Sequence, residues 1–299
     1  MRKIQLFLQP DLPVVREARE LESVCKAHDG LFGSLYLDPA LNFSPDIPAL
    51  LTLHEDDRLL GLITFFAPTQ AEAELTGLTH PDVRRTGVFR ALAAEAATQA
   101  AAFGIPELLF VCEPQVLSGV AALAAIGATL EYSEYSLRYD RSLPPERLAV
   151  PAGLSLRRAE EADLDVMAQI SAACFQEPAE RARQFLARAL GLETRAQYLA
   201  LLDGAPVAIG GVGIEADEAT IYGIGVSPDM QGRGIGRGVV ALLLRRLLSS
   251  SDNDVLIEVD SANAGALHLY LACGLTKEST SGYYRIRADR LASGSQFRR

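Results

Sequence analysis

The run Gln231-Gly232-Arg233-Gly234-Ile235-Gly236 sits where an apolar strand pattern gives way to a helical one. Such a loop can hold an anion. Glycines let the backbone approach a ligand closely, and the first N–H groups of the following helix point outward without partners. The helix dipole adds roughly 0.3–1 kcal/mol for an exposed charge, and Arg233 offers a charge-assisted contact. The run lacks the Gly-Lys-Ser/Thr ending of a nucleoside triphosphate loop and the GxGxxG spacing of a dinucleotide fold. On the next strand pattern Glu258 and Asp260 supply carboxylates that could take a proton from an amine, directly or through water. Each also reads as an ordinary polar group. Cys25, Cys112, Cys174 and Cys273 show no metal-ligand spacing, so they read as buried apolar residues of a reducing compartment and no metal is expected.

The elements that must position these groups occur twice. Setting residue n beside n+147 places His80-Pro81-Asp82 on Ser227-Pro228-Asp229, Gly87-Val88 on Gly234-Ile235, Gly127 on Gly274 and Arg138 on Arg285. One ungapped register is expected from residue 51 to 139. Each copy reads as a strand and helix (clearest at 154–175), a hairpin, and a strand ending near Val226 or Thr79. A Gly-marked turn then opens a long helix, 234–248 or 87–103. A buried strand (255–259 or 107–112), a short helix ending at Gly274 or Gly127, and final β segments close the copy. The Pro-containing stretch 141–153 reads as a linker. The expectation is an α/β protein with mixed sheets, divided into 1–140, a linker at 141–153, and 154–299.

Composition sets outer bounds. With 299 residues, 49% hydrophobic and 22% charged, the chain packs two ordinary cores. A net charge of −10 opposes nucleic-acid binding and tolerates a cationic amine. The first residues, MRKIQLFLQPDLP, lack a signal-peptide apolar run, and no stretch is long enough to span a bilayer. A soluble, cytoplasmic protein is expected, and nothing in the composition opposes self-association.

The pattern V-x-P-x-x-Q-G-R-G-I-G resembles the GNAT acetyltransferase superfamily when joined to Asn263, Ala266, Tyr270 and Gly274 some thirty residues later. The layout resembles the tandem type represented by the mycothiol synthases, in which the C-terminal copy acetylates. The resemblance implies acetyl-CoA as co-substrate, lying where the strand ending at Val226 splays from the strand of 255–259. Backbone groups of Ile224, Gly225 and Val226 would meet pantetheine. Gln231, Gly232, Arg233, Gly234, Ile235 and Gly236 would wrap the pyrophosphate, and Asn263 would steady the pantetheine arm. Tyr270 matches the general-acid position, which contributes about 10²–10⁴-fold. A backbone N–H near Val226 would polarise the carbonyl.

No glutamate occupies 219–226, where some members place a base, so Glu258 and Asp260 are the candidates. Thr220 and Tyr222 are read as sharing the face of Ile224 and touching the acceptor. Tyr283 and Tyr284 would border its pocket, and His268 reads as structural. The first copy is eroded: Phe89 stands at the Gly236 position, Val116 at Asn263 and Leu123 at Tyr270. Arg84, Arg85, Gly87 and Val88 would form at most a vestigial cofactor site. The expected function is acetylation of a primary amine on a small molecule. The alternatives are a peptide or protein acceptor, or a non-catalytic acyl-CoA sensor.

Overall fold

Apolar runs such as 50–55, 58–66 and 107–112 extend into strands, and the Ala- and Leu-rich segments between them coil into helices. The computed structural model describes residues 1–215 and 218–292. In chain order the first repeat holds β1 (Arg2–Phe7), α1 (Leu12–Asp29), β2 (Leu50–Glu55), β3 (Arg58–Phe66), β4 (Glu72–Thr79), α2 (Val88–Ala102), β5 (Glu107–Cys112), α3 (Leu117–Ile126) and β6 (Thr129–Tyr139). The second holds β7 (Leu154–Arg158), α4 (Leu164–Phe175), α5 (Ala179–Leu190), β8 (Arg195–Leu202), β9 (Ala205–Glu215), β10 (Glu218–Val226), α6 (Ile235–Ser250), β11 (Asp254–Asp260), α7 (Ala264–Ala272), β12 (Leu275–Arg287) and α8 (Ala288–Ala292).

The compact units do not coincide with the linear division expected from the repeat. Unit 1 comprises Met1–Glu134 with Ser279–Arg299, and unit 2 comprises Tyr135–Glu278. The cause is an exchange of terminal strands. In unit 1, β12 runs antiparallel to β5 from Gly282↔Cys112 to Arg287↔Glu107. In unit 2, β6 neighbours β11. The later part of each final β segment, 135–139 of β6 and 279–287 of β12, therefore joins the other copy's unit, while 129–134 and 275–278 stay with their own. Apolar burial enforces this: Tyr284, Ile286 and Leu291 join the core built on α2, while Leu137 and Tyr139 join the core built on α6.

Within unit 2 the sheet runs β7, β8, β9, β10, β11, β6. Helix α6 lays Ile235, Val239, Val240, Leu243, Leu244 and Leu247 against one face, at the spacing an amphipathic helix requires. Helices α4 and α5 cover the other face through Leu164, Met167, Ala182 and Leu186, against Leu199 and Ile209. The α5 segment, Ala179–Leu190, was not foreseen as a separate helix.

The single repeat register also fails at one point. Glu72 pairs with Glu107 and Glu218 with Asp254, so β4 matches β10 at an offset of 146 while β5 matches β11 at 147. The extra residue lies in β10. There Tyr222 opposes Gly211 and Gly225 opposes Ile209, so two residues face one across a β-bulge. Strand β4 pairs with β3 without interruption from Glu74 to Thr79.

Candidate active site

Strands β10 and β11 pair in parallel from Glu218↔Asp254 to Ile221↔Ile257, and no further pair follows among the described residues. Both strands continue, to Val226 and Asp260. The result is a cleft between them that opens at Tyr222. Gly223, at φ +61°, takes a backbone conformation that side chains resist, and it begins the bulge. Beyond the bulge, the Ser227 N–H donates to the Val207 carbonyl. By the alternation of an antiparallel ladder, Val226 opposite Ala208 then turns its N–H and C=O away from β9, toward the cleft. The Val226 carbonyl accepts from Gln231 Nε2 and from the Cys174 thiol, both at 3.1 Å. What Val226 offers the cleft is its N–H.

The bulge also corrects an expectation about faces. The Ile224 side chain fills the space over Gly210 beside Val239 and Leu243, whereas the Tyr222 ring lies over Gly211 on the α4–α5 face. Tyr222 and Ile224 therefore point to opposite sides of the sheet. The Tyr222 hydroxyl accepts from the buried Gln197, with the Arg195 guanidinium 5.1 Å from the ring centroid.

The glycine loop leads straight into α6. Gly232 and Gly234 sit at φ +75° and +77°, and no side chain caps the helix. The amides of Ile235, Gly236 and Arg237 are first-turn donors without intrahelical acceptors, grouped at the positive end of the helix dipole. Arg233 is exposed beside them, with its guanidinium 3.4 Å from the Met230 sulfur. A Cβ on Gly236 would come within 2.9 Å of Leu269 and 3.5 Å of Val226. That glycine brings α7 against the helix start and the strand tip.

Asn263 caps α7 by accepting from the Ala266 N–H, which leaves its amide NH₂ to face outward. On the same helix Tyr270 is buried in the α6 core, and its hydroxyl has no hydrogen-bond partner among the described residues. Burial, aided by Cys273, pushes the phenol up to about 12. A phenol so disposed stays protonated at neutral pH and so keeps its proton available to a leaving group. If it is the proton donor, kcat should stay level through the ordinary tyrosine range near pH 10. An alkaline limb centred there would exclude Tyr270 as the donor. Glu258 is exposed on β11 and carries a contact of its own. His268 is exposed.

Unit 1 builds the same loop for a different end. Arg85 holds φ +64° at the Gly232 position, and Gly87 precedes α2 as Gly234 precedes α6. Arg84, expected as an anion contact, is committed elsewhere. It pairs with Asp29 through two hydrogen bonds and donates to the Thr79 carbonyl and to Ser118. Arg2 binds Thr86 beside Arg85. Phe89 packs on Gly77 and edge-on to Phe110, Leu123 is buried, and Val116 makes no side-chain cap. Buried Glu113 accepts from Phe32 and Gly33, pinning the loop after α1. Tyr283 and Tyr284 belong to this unit. Tyr283 stacks on Tyr132 and donates to Glu134, and Tyr284 lies in the α2 core.

Among the described residues no helix is long and apolar enough to cross a membrane, and no His/Cys/Asp/Glu group could hold a metal ion. Two features escaped the sequence reading. One is the bulge, signalled by the alternating Gly223 and Gly225 that β4 does not match. The other is Cys174, which no pattern marks.

Residues 164–275 match the Acetyltransferase (GNAT) family. The chain is 28% identical to a mycothiol acetyltransferase of Clavibacter michiganensis, over 93% of each chain. It is 26% identical to a mycothiol acetyltransferase of Cellulomonas flavigena, over 91% of this chain and 85% of the relative. A tandem GNAT protein from the clavulanic acid biosynthesis pathway superposes with a TM-score of 0.73 over 96% of this chain and 99% of its own, at 21% identity.

Proposed function

We propose that this chain, a GNAT-type acetyltransferase, moves the acetyl group of acetyl-CoA to a primary amine of a small molecule, and that unit 2 performs the transfer. The observation that carries the reading is the cleft between β10 and β11. At its mouth meet the Val226 N–H, the uncapped start of α6 and the helix bearing Tyr270. Residues 231–236 would bind the pyrophosphate, and the strand ends would pair with pantetheine. The amine lone pair forms the C–N bond. The Val226 N–H stabilises the charge that gathers on the carbonyl oxygen. The C–S bond then breaks with its electrons on sulfur, and the Tyr270 phenol protonates the departing thiolate. Glu258 is the candidate that takes the amine proton, directly or through water.

A small acceptor is favoured by the two relatives named mycothiol acetyltransferase, which align over most of both chains. Unit 1 is assigned no turnover, because Leu123 and Val116 replace the phenol and the carboxamide, and β4 lacks the bulge. Isothermal titration with acetyl-CoA should therefore give one site per chain, with thiol released when an amine is added. Two sites would return a donor role to unit 1. No binding would remove the acetyltransferase assignment of this site, and binding without thiol release across an amine panel would favour an acyl-CoA sensor.

A further inference from the structure

The cleft has a closed end as well as a mouth, and the closed end is built around one cation. The first rung of the parallel pairing sets Glu218 opposite Asp254, two like charges side by side. Like charges directly opposite across strands repel and weaken the pairing. Arg138 reaches both carboxylates. Its Nε and Nη2 grip Glu278 at 2.7 and 2.9 Å, Nη2 also meets Glu218 at 3.4 Å, and Nη1 forms an ion pair with Asp254. The guanidinium is half-buried, and these carboxylates, Glu278 foremost, raise its pKa. A forked cation held by several carboxylates fixes geometry in a way one exposed ion pair does not.

Arg138 stands at the end of β6, in the sequence of the first repeat, yet it lies in unit 2. Unit 1 has the counterpart. There Glu72 opposes Glu107 on the first rung, and Arg285 of β12 binds Glu72 and Glu131. The strand exchange thus delivers an arginine to the first rung of each parallel strand pair.

We infer that Arg138 is a positioning residue of the donor site: by clamping Glu218, Asp254 and Glu278 it holds the paired ends of β10 and β11 together, and so steadies the gap that the strands present to pantetheine beyond the bulge. This rests on the donor assignment above. It also gives the first repeat a part in the transfer without any chemistry of its own, since its last strand carries the clamp.

The test uses the full chain. In Arg138→Gln, amide hydrogen exchange at 219–221 and 255–257 should quicken by about tenfold relative to wild type, and the KM for acetyl-CoA should rise by a similar factor while kcat holds within about twofold. Arg138→Lys, which keeps the charge and loses the fork, should fall between. Adding Glu218→Gln and Asp254→Asn to Arg138→Gln removes the repulsion and should bring KM most of the way back. Unchanged exchange at those amides would overturn the clamp whether or not the chain binds acetyl-CoA. Quickened exchange with an unchanged KM, or with a loss confined to kcat, would overturn its role in positioning. Failure of the donor assignment itself shows separately, as absent acetyl-CoA binding by the wild type.

Discussion

Replacing Tyr270 by phenylalanine should lower kcat by about 10²–10⁴-fold while the dissociation constant for acetyl-CoA stays within about twofold. The substitution deletes one oxygen from a buried ring and leaves the ring packed in the α6 core, so the fold loses little. It leaves no protein donor or acceptor stranded, because no hydrogen bond to the hydroxyl is found among the described residues. That separation makes the variant informative. A hydroxyl bound to structural partners would show its loss in stability, whereas one held for a leaving thiolate shows it only in turnover. The readouts are steady-state kinetics by thiol release and calorimetric binding of acetyl-CoA. Unchanged turnover would remove Tyr270 from the mechanism. Lost binding together with lost turnover would make it a packing residue of the donor site.

Cutting the chain at the expected linker should destroy the unit that cutting at the strand crossings preserves. A fragment of residues 154–299 retains the glycine loop, Asn263 and Tyr270, yet it lacks 135–139. Leu137 and Tyr139 are fully or almost fully buried in the core that α6 shares with β10 and β11. Losing a buried side chain of this size costs about 2–5 kcal/mol. Two such losses, with an open edge on β11, rival the whole stability of about 5–15 kcal/mol expected of a domain. The same fragment carries Tyr284, Ile286 and Leu291 without the unit 1 core that covers them. Residues 135–278 hold the complete unit. Thermal melts followed by circular dichroism should show a cooperative transition for 135–278 and none for 154–299. A cooperative melt and native-like acetyl-CoA affinity for 154–299 would mean the exchanged strand is dispensable.

Much of the architecture was legible because it is written locally. The long helix after Gly234 and the strand over 255–259 follow from apolar spacing and glycine punctuation, and they appear as α6 and β11 within a residue or two. The eroded first copy was legible too, since Phe89, Leu123 and Val116 can be read against Gly236, Tyr270 and Asn263. Its Arg84 is engaged elsewhere. A basic residue before a helix suggests an anion, but the partner that claims it, Asp29, lies 55 residues away in the chain and comes near only on folding. The face shared by Tyr222 and Ile224 was misjudged for a local reason. One added residue reverses the alternation of a strand, and the bulge supplies that residue.

By itself, then, the sequence determined the repeat, the order of elements, the glycine loop before the long helix and the family resemblance. Each depends on residue type at fixed spacing along the chain, and spacing survives without a fold. Tertiary structure alone decided which sheet each terminal strand enters. The pairing partners of β6 and β12 lie far away in the chain, and no local spacing names them. It also decided where β10 leaves β11 and which carboxylates Arg138 gathers. Those follow from one extra residue in a ladder and from charges that are far apart in the chain and adjacent in the sheet.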